Sequence, residues 1–273
     1  MMIRVIALIG LLTVALAPPV LAQNSGPAPR LKPDVPNHSA YLDDHDFPLF
    51  RAGLRAASEG EWDRVRDIRS RLSDTVARNI LLWRIATSDE SATFMELDLA
   101  LDELEGWPQY TFIRREAEFK IATSGLSPVF IAGWFQNNPP QSGEGKIALG
   151  EAYLASGAES QGTELIRDAW RHNTFRLYRQ TEILAAHRRR LRAEDHQARA
   201  DMLLWEDQRT AASALMPVLS EGWRALVNAR IRLAGRSGGV DSAVEAVPAS
   251  LANHTGLLYE RARWRRRAGM DSG

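Results

Sequence analysis

The residues best suited to bind a metal ion lie in one short acidic segment. Residues 43–46 read Asp-Asp-His-Asp, and His38 precedes them. Imidazole nitrogens and carboxylate oxygens are common ligands of zinc and related ions. The surrounding sequence is rich in proline and polar residues, however, and such a segment does not hold ligands in a fixed geometry. We therefore expect a solvated tail here, including His45, and no metal ion.

No other spacing of histidines or acids points to catalysis. His187 and His196 are nine residues apart, too far for two ligands on adjacent helical turns. Asp98 and Asp102 form an i, i+4 pair of the kind that solvated helix faces carry. The sequence has no Gly-rich phosphate loop, no G-x-S-x-G and no H-E-x-x-H. We predict no catalytic, cofactor-binding or metal-binding residue in this chain.

Two arginine-rich runs, residues 188–192 and 261–267, could bind anions such as the carboxylates of peptide stems or anionic glycans. Acids such as Glu194 and Glu260 lie beside them, so ion pairs between neighbouring helices are the interpretation we favour. The whole chain has 34 basic and 34 acidic residues and a formal charge of zero. That balance gives no overall attraction to nucleic acid or to an anionic membrane.

The composition is that of a globular protein with a core of its own. The 273 residues are 45% hydrophobic and 25% charged, which argues against global disorder. The chain contains no cysteine, which excludes disulfides, thiolate metal sites and a cysteine nucleophile.

The N-terminus has the pattern of a secretory signal peptide. Arg4 is followed by an apolar run and by small residues before Ala22, so we predict cleavage after Ala22 and export to a periplasm, with Gln23 first in the mature chain. The apolar run is too short to span a bilayer. Residues 23–46 are predicted to form a disordered, Pro-rich tether.

From residue 47 to 273 the pattern is helical. Val76, Ile80 and Trp83 repeat at i, i+4, i+7 after Asp74, a plausible N-cap. Residues 97–104 carry leucines at both helical and alternating spacing, and their Glu, Asp and Ala neighbours favour a helix over a strand. Gly and Pro breakers recur often enough to predict about fourteen short helices. We predict an all-α, right-handed superhelix or solenoid of helical hairpins.

Repeat signatures support this fold. Tetratricopeptide-like spacing is found in the set Leu149, Gly150, Tyr153, Gly157, Gly162, Ile166 and Ala169. Residues 60–68 are a fainter echo of the same spacing. The eight tryptophans are spread about one per hairpin, and we predict that they lock neighbouring hairpins together rather than form a sugar-stacking platform.

Several short motifs, in order, resemble the helical domain of soluble lytic murein transglycosylases. They are Trp107-Pro108, Ala117-Glu118, residues 134–140 with Gly145, residues 191–196 with Arg199, Asp201 and residues 203–205, Ala229-Arg230, and residues 257–266. The resemblance spans about residues 47–268. It implies a U-shaped α-superhelix in an enzyme family that cleaves peptidoglycan and forms 1,6-anhydromuropeptides.

In that family a separate lysozyme-like domain carries the catalytic glutamate, in a Glu-Ser pair ahead of a Gly-Leu-Met-Gln motif. Glu90-Ser91 matches the pair, but no Gly-Leu-Met follows anywhere, so we interpret the match as coincidence. We expect the catalytic domain to lie outside this sequence.

Two functions remain open. The first is the non-catalytic superhelical portion of a periplasmic lytic murein transglycosylase, with peptidoglycan and a separate catalytic domain as partners. The second is an exported tetratricopeptide-like scaffold that binds another envelope protein.

Overall fold

Residues 39–235 and 238–269 of the computed structural model contain fourteen α-helices and no β-strand. The helices are α1 (Asp46–Glu59), α2 (Trp62–Arg71), α3 (Thr75–Ser88), α4 (Phe94–Glu103), α5 (Tyr110–Ile121), α6 (Pro128–Asn137), α7 (Gly143–Ala155), α8 (Glu159–His172), α9 (Leu177–His187), α10 (Ala193–Trp205), α11 (Arg209–Ser213), α12 (Glu221–Gly235), α13 (Val240–Glu245) and α14 (Thr255–Arg267). The predicted all-α fold of short helices is confirmed. The predicted signal peptide and tether residues 23–38 lie outside the described residues.

The helices stack as a solenoid-like series of hairpins. Consecutive helices pack together, as in α1 with α2 and α7 with α8. Helices two apart also touch: α1 with α3, α3 with α5, α5 with α7, α8 with α10, α10 with α12, and α12 with α14. Each hairpin therefore covers the apolar side of the next, and the core runs along the stack instead of filling one centre.

The hairpin of α7 and α8 shows why the tetratricopeptide spacing needs small residues. A Cβ on Gly162 would overlap the carbonyl oxygen of Gly150, and a Cβ on Gly150 would overlap Gly162 and Ile166. The two backbones thus approach more closely than a methyl group allows. Ile166 is fully buried in this contact, and Gly157 makes the turn with a φ of 82°.

Helix α3 begins as predicted but buries a different face. Asp74 is its N-cap, because its carboxylate accepts a hydrogen bond from the N–H of Ala77. The face that carries Val76, Ile80 and Trp83 is not the buried one, since Val76 is 60% exposed. The buried side is formed by Ala77, Leu81, Leu82, Ile85 and Ala86. In α4 the helical spacing is confirmed, with Leu97, Leu101 and Leu104 buried and Leu99 exposed.

Most of the tryptophans pack against the hydrophobic core. Trp170 is fully buried and Trp134 nearly so, while Trp62, Trp83, Trp107, Trp223 and Trp264 are partly buried against the core. Trp205 departs from this pattern, because 46% of it is exposed at the end of α10.

The start of the helical domain also differs from the prediction. The tether was expected to extend to residue 46, but Asp46 opens α1 and is buried. Its carboxylate accepts hydrogen bonds from the N–H and hydroxyl of Ser73 and from the N–H of Asp74. These donors lie just before α3, where a carboxylate is stabilised by unpaired N–H groups and by the helix dipole. Sequence alone gave no sign of this long-range cap.

Candidate binding groove

A groove of about 770 Å³ lies between several helices. Its walls come from the C-terminal end of α3 and the turn after it, from α5, from the N-terminus of α7, and from the segment that enters α9. Because stacked hairpins present successive helix ends to the same side, four elements distant in sequence meet here.

Exposed aromatic side chains line two sides of the groove. Phe112 on α5 is 43% exposed and Tyr178 on α9 is 51% exposed. Phe119 and Phe175 lie deeper and are partly buried. Aromatic faces that remain open to solvent in a concave site can take up an apolar or ring-shaped ligand.

The charged groups of the groove fall into two sets. Those of the first set are already bonded to other groups of the chain. Glu144 accepts a hydrogen bond of 2.9 Å from Arg179. Burial alone would lower the pKa of Arg179, but Glu144 outweighs it and the pKa is raised. Asp89 is bound by Arg66 at 2.5 Å, and Lys120 donates to the backbone oxygen of Glu90 at 2.7 Å.

The second set is free to meet a ligand. Within the described residues, Arg115 and Arg176 line the groove and have no acidic partner within 4 Å. Glu116 and the side chain of Glu90 likewise form no ion pair in that part of the chain. The groove can therefore offer two unpaired guanidinium groups, which bind carboxylates in bidentate geometry.

The Glu90-Ser91 pair lies at the rim of this groove. Glu90 is exposed in the turn between α3 and α4. The hydroxyl and N–H of Ser91 both donate to Asp89, at 2.7 and 2.8 Å. A glycosidase acid is kept protonated in an apolar or acidic pocket, and an open turn beside Lys120 does not provide one.

The acidic segment at the start of α1 brings possible metal-ligand atoms together. Oxygen or nitrogen atoms of Asp43, His45 and Asp46 lie within 4.8 Å of one another. The Asp46 carboxylate is already occupied by Ser73, Asp74 and His45, the last at 2.8 Å. Burial would raise the pKa of Asp46, but these donors outweigh it and hold the pKa far below its ordinary value. Asp46 is thus a structural anion.

The motifs behind the transglycosylase resemblance lie outside the groove wall and include several buried polar groups. Glu118 accepts hydrogen bonds from the N–H groups of Gln141 and Ser142 at the start of α7. Asp195 pairs with Arg167 of α8 at 2.8 Å and also accepts from the N–H of Arg192. Glu118 thereby links α5 to α7, and Asp195 links α10 to α8.

Two buried arginines, Arg199 and Arg230, also link helices that are two apart in the stack. Arg199 is fully buried and donates to the carbonyl oxygens of Trp170 and Asn173 at the end of α8. Its guanidinium also lies 4.2 Å from the Trp170 ring centre, and burial lowers its pKa to about 9. Arg230 pairs with Asp201 at 2.5 Å. A cation at a helix C-terminus is favourable, as an anion is at the N-terminus.

The histidines singled out in the sequence also have local, separate environments. His187 is buried and its Nε2 lies 2.9 Å from Glu151. His196 packs edge-on against Trp170, with ring centres 5.8 Å apart. Burial lowers the pKa of His196, with Asp195 opposing and Arg199 adding to the shift.

The predicted ion-pair networks of the arginine runs are present in part. Arg190 bridges to Glu159 of α8 at 3.1 Å. Glu260 is within 4.0 Å of both Arg263 and Arg267. Arg192 lies 3.8 Å from Glu194. The remaining arginines of the two runs have no acidic partner within 4 Å in the described part of the chain; they are Arg188, Arg189, Arg261, Arg265 and Arg266. The positive charge of these arginines is therefore not neutralised by an ion pair within the described residues.

No family model matches the chain, and neither the curated proteins nor the solved structures include a similar one. No helix in residues 39–235 and 238–269 has the length and apolar character required to cross a bilayer.

Proposed function

We propose that this chain is the non-catalytic superhelical portion of an exported lytic murein transglycosylase and that its groove holds peptidoglycan. The observation that carries the proposal is the pairing, in one concave surface, of exposed aromatic faces with unpaired guanidinium groups. Phe112 and Tyr178 supply the faces, and Arg115 and Arg176 supply the charges.

This combination suits the two components of peptidoglycan. Sugar rings have apolar faces that pack on aromatic side chains, and peptide stems end in carboxylates that pair with arginine. A groove of about 770 Å³ is within the size range of sites that enclose a drug-sized ligand, so it accommodates a few sugar or amino-acid units. The order of the sequence motifs and the predicted export signal are consistent with this role.

Binding to purified peptidoglycan sacculi tests the proposal. The full chain should co-sediment with sacculi, and the double variant Phe112→Ala, Tyr178→Ala should bind about tenfold more weakly, since each exposed aromatic face contributes on the order of 0.5–1.5 kcal/mol. Tyr41→Ala, which removes an exposed aromatic residue outside the groove, is the matched control. Equal binding of the wild-type chain and the groove variant would reject the groove as the site.

The same samples test the absence of catalysis. Neither the wild-type chain nor Glu90→Gln should release 1,6-anhydromuropeptides, because Glu90 lies in an open turn. Release by the wild-type chain that is lost in Glu90→Gln would place the catalytic acid in this chain. Mass spectrometry of exported material tests the periplasmic location, with Gln23 expected as the first residue.

One observation favours the alternative of a scaffold for another envelope protein. A second, shallower groove of about 320 Å³ runs past Phe94, Met95 and Leu126. Exposed apolar side chains, Val129 and Phe130, lie on the neighbouring helix α6. If this role is correct, Val129→Ser with Phe130→Ser should abolish capture of an envelope protein and leave binding to sacculi unchanged.

A further inference from the structure

Helix α14 exposes one face on which apolar and cationic side chains are combined. At 100° per residue, Leu258, Tyr259 and Ala262 share an arc with Arg261, Arg265 and Arg266. Leu258 and Tyr259 are 46% and 48% exposed, and Ala262, Arg265 and Arg266 are also exposed. We call this surface, formed by these six residues, the α14 face.

The opposite side of α14 attaches the helix to the stack. Leu257 is buried, and Glu260 is buried beside Arg263 and Arg267. Arg267 also donates to the backbone oxygen of Leu233 on α12 at 3.3 Å. Arg267 thus links α14 to α12, while Arg263 pairs with Glu260 within α14. The described residues place no acid within 4 Å of the three arginines on the α14 face.

Trp205 extends the apolar part of this surface. Its ring centre lies 5.1 Å from that of Tyr259, and the Arg230 guanidinium is 5.4 Å from the Trp205 ring. After Trp205, Asp207 is paired with Arg209 at 3.0 Å, while Glu206 is exposed and subtracts one charge locally. The surface still carries a net positive charge beside two exposed aromatic rings.

Such a surface matches the interface of an anionic bilayer. Trp and Tyr favour the level of the headgroups, and arginines near an anionic leaflet each strengthen binding about fivefold. Helices that lie in the membrane plane likewise present both apolar and cationic side chains to the bilayer surface. We propose that the α14 face, with Trp205, attaches the protein peripherally to membranes that carry anionic phospholipids. The formal charge of zero for the whole chain conceals this local clustering.

The absence of cysteine allows a direct test of which surface meets the bilayer. In the full chain, Ala262→Cys would carry an environment-sensitive dye on the α14 face, and Ala185→Cys would carry it at an exposed position on α9. Each is titrated with phosphatidylcholine vesicles and with vesicles that also contain phosphatidylglycerol. We expect a blue shift at residue 262 with the anionic vesicles, and none at residue 185.

Charge variants separate this attachment from general electrostatics and from the apolar N-terminal segment. Arg261→Gln, Arg265→Gln and Arg266→Gln together should weaken binding to anionic vesicles about 100-fold. The control removes the same charge elsewhere, through Arg55→Gln, Arg188→Gln and Arg189→Gln, and should bind as the wild-type chain does. Binding of all forms to neutral vesicles reports the N-terminal segment and should be equal.

Three outcomes would overturn the proposal. One is an equal loss of binding in the two triple variants, which would mean that net charge alone is sensed. Another is no blue shift at residue 262 when the chain binds. The third is no binding to anionic vesicles while a crosslinker at residue 262 captures an acidic protein, which would assign the face to a protein partner.

Discussion

Replacement of Glu118 by glutamine tests whether buried charges hold the stack together. Glu118 is fully buried, and each of its oxygens accepts two hydrogen bonds. One takes the N–H of Gln141 and Nε of Arg114, at 2.8 and 3.1 Å, and the other takes the N–H and hydroxyl of Ser142, at 2.7 and 2.5 Å. Glutamine keeps the shape but has only one acceptor oxygen, so at either orientation its NH₂ group faces donors.

The expected cost follows from those four donors. At least one buried N–H loses its acceptor, at about 1–3 kcal/mol, and the buried charge pair with Arg114 is lost as well. In the variant, Arg114 can still donate hydrogen bonds to the carbonyl oxygen of Pro139 and to Oδ1 of Asn138, which limits the total loss of stability. We expect Glu118→Gln to lower the free energy of unfolding by about 3 kcal/mol.

Urea titration followed by circular dichroism measures this change, with amide hydrogen exchange at residues 141–145 as a local readout. The local readout is needed because a solenoid can unfold in parts. Glu116→Gln, on the same helix but half-exposed and without an ion pair in the described chain, should change stability by less than about 0.5 kcal/mol. A loss below about 1 kcal/mol for Glu118→Gln, with unchanged exchange at residues 141–145, would refute the reasoning.

Two further predictions concern close packing and pH. Gly162→Ala should destabilise the chain by about 1–3 kcal/mol because its Cβ would overlap the oxygen of Gly150, whereas Gly133→Ala, in open space on α6, should stabilise it by about 0.5–1 kcal/mol. A shift of the urea midpoint in the same direction for both glycine variants would contradict this. Asp46 has a lowered pKa in the folded state. Its contribution to the free energy of unfolding is therefore complete above the pKa of the unfolded chain, near 4, and declines as the pH falls below that value. The difference in urea midpoint between wild type and Asp46→Asn should therefore shrink from pH 7 to pH 2, and a constant difference would count against the cap.

The sequence predicted those elements whose signals are local. The Asp74 cap, the leucines of α4 and the small residues of the α7–α8 hairpin each depend on neighbours within a turn or a hairpin. The buried face of α3 could not be read from the sequence, because apolar residues surround the helix on most sides. The positions of α1, α2, α4 and α5 decide which side is covered. Local periodicity carries no information on that choice.

The groove depended on the same long-range information. Phe112, Glu144 and Tyr178 belong to three helices, and no spacing in the chain indicates that the ends of α5, α7 and α9 meet. The unpaired state of Arg115 likewise follows from how the helices pack, because the described residues place no acid within 4 Å of its guanidinium group. In the sequence, the prominent arginines are those of the two runs, for which ion pairs are the favoured interpretation, and no pattern singles out Arg115 or Arg176.

The motifs that resemble the transglycosylase helical domain have a physical explanation of their own. Glu118, Asp195, Arg199 and Arg230 are buried, and each binds backbone or charged groups of a helix two places away. A buried charge that loses its partner is costly, so each of these residues is useful only in one arrangement of the hairpins. These four residues therefore specify how the helices stack. The groove is built from residues outside the motifs, whereas the α14 face lies within the last motif, residues 257–266, and uses side chains that the stacking leaves at the surface.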